Sequence, residues 1–154
     1  LLHSWRELNS AQSPEVDAVT LGNPHFSLSE CATLARLCKG LRKLDSVAVV
    51  ITCGRATLER AQQAGHAATL ENFGVQFVTD TCWCMLGEPV LPPKARNLMT
   101  NSGKYAHYAP GLVGRRVHLA SLAECVASAC TGVASGRLPL WLQAADRAEA
   151  LAHV

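Results

Sequence analysis

Short apolar runs of strand length alternate with helix-patterned segments along most of this chain, and each of the first four runs ends in a polar cluster. The strongest run, Ser46 to Thr52 (Ser-Val-Ala-Val-Val-Ile-Thr), is almost continuously apolar. That pattern fits a strand covered on both faces, as parallel sheets require, and it is read as the central strand. Val16 to Leu21, Val75 to Thr79, Asn97 to Thr100 and Arg115 to Leu119 complete the set. Parallel neighbours need a crossover, usually helical, so the alternation dictates an α/β fold of three layers: a mostly parallel sheet of four or five strands with helices on both faces. In such a sheet the polar clusters emerge together at one edge, where open α/β sheets bind ligands.

The helix signals lie between the runs. Ser27 and Glu30 form a capping box, and Leu28, Cys31, Leu34, Ala35, Cys38 and Leu41 recur at helical spacing, predicting a helix to about Leu41. Thr57 to Ala64 and Ala68 to Phe73 read as helices stopped by Gly65 and Gly74. Pro24 is expected to end the first strand, and Pro110-Gly111 to close a short helix from Ser102 to Ala109. Gly87 to Lys94, rich in proline, is a loop. Ser121 to Glu124 repeats the capping box ahead of a helix through Ala129, and Leu140 to Val154 reads as a terminal helix.

At 154 residues, with 49% apolar and 17% charged side chains, the chain can bury a core and is read as one α/β domain over residues 1–154. It opens without an initiator methionine, and a piece of a larger multidomain protein is expected. The net charge is only +2 and the basic residues are scattered, which argues against a nucleic-acid partner. No run approaches the ~20 apolar residues of a membrane-spanning helix. Seven cysteines without an extracellular framework point to a reducing, cytoplasmic compartment.

Four clusters carry the chemistry. Met99-Thr100-Asn101-Ser102-Gly103-Lys104-Tyr105 packs amide, hydroxyl, ammonium and phenol groups into seven residues, an address for a small anion, with Asn101, Ser102, Lys104 and Tyr105 as candidate binders. Thr52-Cys53-Gly54-Arg55 opens a helix, and a turn there beside Arg55 attracts an anion. Gly22-Asn23-Pro24-His25 offers His25 as a donor or general acid. Thr81-Cys82-Trp83-Cys84 supplies thiols beside a tryptophan able to exclude water, although Cys-x-Cys alone falls short of a four-ligand structural zinc site. Each cluster also has a plainer reading as a tight turn or small buried residues, and the rival is a metal-free, flavodoxin-like ligand-binding module with core cysteines. The glycine fingerprints of dinucleotide and triphosphate sites are missing, as is the nucleophile elbow of serine hydrolases.

Taken in order, six segments resemble aconitase X, the divergent branch of the aconitase superfamily: Leu21 to Glu30, Ile51 to Arg55, Leu70 to Gly74, Asp80-Thr81-Cys82, Met99 to Tyr105 and Glu124-Cys125-Val126. The resemblance covers roughly Val16 to Gly132. It implies the last α/β domain of the larger catalytic part of a dehydratase, working with a smaller swivelling part that is fused or a separate subunit. It further implies loss of water from a small hydroxy acid, with iron or an iron-sulfur cluster as Lewis acid. The family's substrates are cis-3-hydroxy-L-proline and mevalonate 5-phosphate, and Cys53-Gly54 tilts the expectation to the first, with pyrroline-2-carboxylate as product. Position by position, Cys82 matches the family's metal-ligating cysteine, and Cys53 is a second metal candidate where many members carry Thr-Ser-Arg. The catalytic base is implied to be a serine of the swivelling part.

Overall fold

Residues 1–143 are described by the computed structural model; the rest of the expected terminal helix lies outside the described residues, and its 140–143 portion is helical. Five strands form one sheet: β1 (Ala18–Phe26), β2 (Ala48–Cys53), β3 (Val75–Thr79), β4 (Asn97–Thr100) and β5 (Arg116–Leu119). Their order is β3-β2-β1-β4-β5 and all four pairings are parallel. The central strand is therefore β1, not the Ser46 to Thr52 run. That run is apolar on both faces because β2 is flanked by β1 and β3, a condition that a second position in the sheet meets as well as a central one. The order also differs from the 2-1-3-4-5 arrangement of flavodoxin-like sheets.

Strand period sorts the side chains onto two faces. Val19, Leu21, Val49, Ile51, Cys53, Val75 and Met99 share one core with α2 (Leu28–Cys38), α4 (His66–Phe73) and α6 (Leu122–Thr131), joined by Ala61 of α3 (Arg55–Gln63). Ala18, Val50, Leu98 and Val117 face the other way, toward Trp83, Leu91 and Ala95 of the long connection and Tyr105, Ala106 and Ala109 of α5 (Gly103–Val113). Leu8 of α1 (Leu2–Leu8) packs against this second core. Each fully buried large side chain contributes about 1.5–3 kcal/mol, so both layers hold the sheet.

The capping signals act as the residues dictate. Ser27 Oγ accepts from the Glu30 N–H at 3.2 Å, and the Glu30 carboxylate accepts from the Ser27 N–H at 2.8 Å. At α6 only half of the box forms, with Ser121 Oγ accepting from the Glu124 N–H at 3.2 Å. Helix α2 stops at Cys38, short of Leu41, whose side chain is half exposed and gains no burial from continuing.

Two proline expectations are corrected. Strand β1 runs through Pro24 to Phe26, because its register shifts between Leu21 and Phe26, leaving the proline in an irregular stretch that needs no ladder bond. Helix α5 continues past Pro110 to Val113 and ends at Gly114, which takes the left-handed conformation at φ 64°. A single missing N–H removes one helical bond, and the remaining turn is closed by the Gly114 N–H donating to the Pro110 carbonyl at 3.1 Å.

Candidate functional site

All five strands point the same way, so the clusters after β1, β2, β3 and β4 share the carboxyl edge of the sheet. From β1 the chain leaves to α2 on one face, and from β4 it leaves to α5 on the other. The crevice between β1 and β4 is thus the topological switch point, the place where such sheets bind ligands.

The irregular end of β1 is built tightly. Gly22 has φ +84°, and a Cβ there would lie 2.1 Å from the Thr52 carbonyl oxygen, so only glycine lets β1 and β2 approach. The Thr52 hydroxyl lies against the Leu21, Gly22 and Pro24 carbonyls and pins the bulge. The side-chain oxygen of Asn23 is buried there with no hydrogen-bond partner.

The turn after β3 crosses to the same crevice. Trp83 is fully buried, donates its indole N–H to the Leu21 carbonyl at 2.8 Å, and packs on Tyr105 with ring centroids 5.5 Å apart. His25 Nε2 lies 2.9 Å from the Thr81 carbonyl. These contacts fix the backbone on both sides of Cys82, which is half buried, beside the exposed Cys84. The Cys84 thiol donates to Cys82 Sγ at 3.0 Å and the Cys84 N–H donates to it at 3.5 Å. Those two bonds, with the Lys104 ammonium nearby, hold the Cys82 thiol below its ordinary range, against a partial opposing effect of burial. The same thiol contact pushes Cys84 up.

At the end of β4, Ser102 caps α5, its hydroxyl accepting from the Tyr105 N–H at 3.3 Å while its own N–H donates to Thr100 Oγ1 at 3.2 Å. Lys104 is exposed in the first turn of this helix, and Asn101 is half buried just before it. Tyr105 is 1% exposed, yet its hydroxyl has no hydrogen-bond partner. Burial, then the charge of Cys82, push its ionisation up. A helix N-terminus, an ammonium and a phenol able to donate thus adjoin a thiol whose ionisation its neighbours ease. Such a set can hold a carboxylate beside a soft metal.

Of the expected site residues, Cys53 lies on the other face of the sheet and Arg55 is ion-paired at the edge. Cys53 is fully buried on the opposite face, in the apolar core, where burial and then Asp80 push its thiol up. Its parity with Val49 and Ile51 sends its side chain under the helices and away from the crevice. Arg55 is engaged by Asp80: its guanidinium lies 3.0 Å from one carboxylate oxygen, and its N–H donates to the other at 2.9 Å. Asp80, at φ 58°, is the acceptor at the start of α3 that Gly54 cannot supply. Sequence reasoning missed this residue and Asn23, whose importance depends on nonlocal neighbours. Among the described residues no group of three or more His, Cys, Asp or Glu side chains converges to hold a metal. What the chain offers is a partial donor set, Cys82 with Tyr105 close by, which fits iron chemistry as one thiolate ligand.

Comparison with known proteins agrees with this geometry. Residues 16–131 match the family model described as the aconitase X third domain. A cis-3-hydroxy-L-proline dehydratase of Pseudomonas aeruginosa is 59% identical over 142 residues, covering 92% of this chain and 24% of that protein. One from Hypocrea jecorina is 56% identical over 136 residues, covering 88% and 23%. A phosphomevalonate dehydratase large subunit of Methanosarcina mazei is 30% identical, covering 82% and 30%. The crystal structure of Thermococcus kodakaraensis aconitase X in its holo form superposes with a TM-score of 0.68 at 27% identity, covering 83% of this chain and 32% of that one. The chain therefore spans about a quarter of the length of the two cis-3-hydroxy-L-proline dehydratases. Fold, order of clusters and sequence agree: the chain belongs to the aconitase X family, as its third domain.

Proposed function

We propose that this domain serves a hydro-lyase that removes water from cis-3-hydroxy-L-proline to give pyrroline-2-carboxylate, acting with further catalytic domains and a swivelling part outside this chain. The observation that carries the reading is Cys82 held at the switch point beside Lys104 and Tyr105, in a chain 59% identical to a cis-3-hydroxy-L-proline dehydratase. Mevalonate 5-phosphate is the weaker substrate, supported by relatives near 30% identity. The setting we infer is cytoplasmic, in keeping with seven free thiols; among the described residues no helix is long and apolar enough to cross a membrane.

In this reading Cys82 is the one thiolate this domain gives to iron or an iron-sulfur cluster, the remaining ligands coming from other domains. When bound, the iron supplies the Lewis acidity that a poor leaving group such as hydroxide requires. The chain's own residues position the substrate. Lys104, Ser102 and the N-terminus of α5 hold its carboxylate, with Asn101 at the rim. The Tyr105 hydroxyl, buried without a partner, is the neutral donor this domain would offer to the substrate, and Trp83 packs against its ring. His25, braced by the Thr81 carbonyl, stands at the open side as a polar contact. Arg55 contributes to the local field through its pair with Asp80. The general base is assigned to the swivelling part.

The test is an assay of the full-length protein, purified anaerobically, on both acids. Conversion of cis-3-hydroxy-L-proline with mevalonate 5-phosphate left untouched is the expected result. The reverse preference would sink the substrate assignment.

A further inference from the structure

Cys84 has no role in the dehydration scheme, yet its sulfur lies 3.0 Å from Cys82 Sγ and its side chain is exposed. The other cysteines are differently placed: Cys31, Cys38, Cys53 and Cys125 are buried in the opposite core, and the partly buried Cys130 packs against that core. The backbone of the pair is constrained: Trp83 between them is fully buried and bonded to Leu21, and the Met85 N–H donates to the Cys82 carbonyl at 2.9 Å. Two sulfurs already in contact need a movement of only about an ångström to reach the bond length of a disulfide.

We propose that Cys82 and Cys84 form a reversible modification site, closing to a disulfide when peroxide reaches the enzyme in its metal-free state. The first step transfers one oxygen of hydrogen peroxide to one thiol, giving a sulfenic acid and water. The second thiol then attacks that sulfur, the S–O bond breaks, the S–S bond forms and a second water leaves. Two thiols are oxidised and one peroxide is reduced to two waters. The closed pair withdraws Cys82 from metal binding, and it also shields that sulfur from the irreversible sulfinic and sulfonic acids. A dithiol reopens it. Its metal consequence rests on the assignment of Cys82 as an iron ligand; formation of the bond does not.

The full-length enzyme, stripped of metal and treated with stoichiometric peroxide, gives the test. Trypsin releases residues 61–94, which contain Cys82 and Cys84 and no other cysteine. The expected peptide is lighter by two hydrogen atoms, takes up no alkylating agent, and recovers both thiols after dithiothreitol, together with the iron uptake of untreated protein. In Cys84→Ala the same treatment should add one oxygen to Cys82 without loss of two hydrogens, and an excess of peroxide should carry that sulfur to the sulfinic acid and abolish iron uptake that dithiothreitol cannot restore. Two alkylatable thiols after peroxide in the wild type, or oxygen added to each sulfur without loss of the two hydrogens, would overturn the proposal. The iron content of Cys82→Ser separates the two ideas: disulfide formation in the wild type with iron retained in that variant would leave the modification site standing and remove the ligand assignment.

Discussion

The two faces of the sheet use the same kinds of residue for opposite purposes. The face under α2, α4 and α6 buries Cys31, Cys38, Cys53 and Cys125 among aliphatic side chains, and burial pushes every one of these thiols up. Strand parity puts the buried Thr20, Thr52 and Thr100 on the face that carries Trp83 and Tyr105, and at its carboxyl edge the Cys82 thiol is held down by its neighbours. A cysteine's chemistry here follows from the face it joins rather than from its nearness to a strand end. Both faces bury a core; the second carries the orphaned polar atoms of Asn23 and Tyr105 near the crevice, and the first carries one at Ser128 of α6.

This contrast can be broken in four ways, beginning with the largest effect. Gly22→Ala would force a Cβ to within 2.1 Å of the Thr52 carbonyl at positive φ. It should cost about 3–5 kcal/mol in denaturant unfolding, combining left-handed strain with overpacking at the seam that builds the site. Leu34→Ala, in the apolar face, should cost about 3 kcal/mol while leaving turnover per folded molecule of the full-length enzyme unchanged. A fall in turnover there would mean that the two faces are not separable. Tyr105→Phe should behave in the opposite manner, since it removes a buried hydroxyl that has no partner. Stability should hold or rise by up to about 1 kcal/mol, and activity should fall by about tenfold.

The smallest effect is in pH. Burial raises Cys31 to about 11 and Cys38 and Cys125 to about 12, from an ordinary value near 9. Unfolding returns these thiols to the ordinary value, so above it the unfolded chain holds fewer protons and the folded state is penalised. Their contribution is complete below pH 9 and should fall as pH rises toward 11 and 12. Thermal melts across that window should show the decline, and Cys125→Ala should flatten part of it.

Much of the fold was legible because its signals are local. Val75–Thr79 and Asn97–Thr100 occupy the expected residues, each an apolar run bounded by strong breakers or polar clusters. Gly65 and Gly74 take left-handed conformations where helices were expected to stop. What failed depended on partners distant in sequence. Pro24 could not be seen to sit in a register shift, and the position of β2 depended on which strands flank it. For the site, the Cys82 cluster was visible as thiols beside a tryptophan after a strand. The period-two match of Cys53 to Val49 and Ile51 carries its burial, a stronger signal than its nearness to a strand end. Arg55 could not be recognised as engaged without Asp80, which is 25 residues away in sequence.

In the proposed function Cys82, and not Cys53, is the thiol this domain offers to a metal. Anaerobic iron and acid-labile sulfide content of the full-length protein, measured beside Cys82→Ser and Cys53→Ala, tests it most directly. Iron is expected in the parent and in Cys53→Ala, and its loss from a folded Cys82→Ser. Undiminished iron in Cys82→Ser, or its loss from a folded Cys53→Ala, would contradict it.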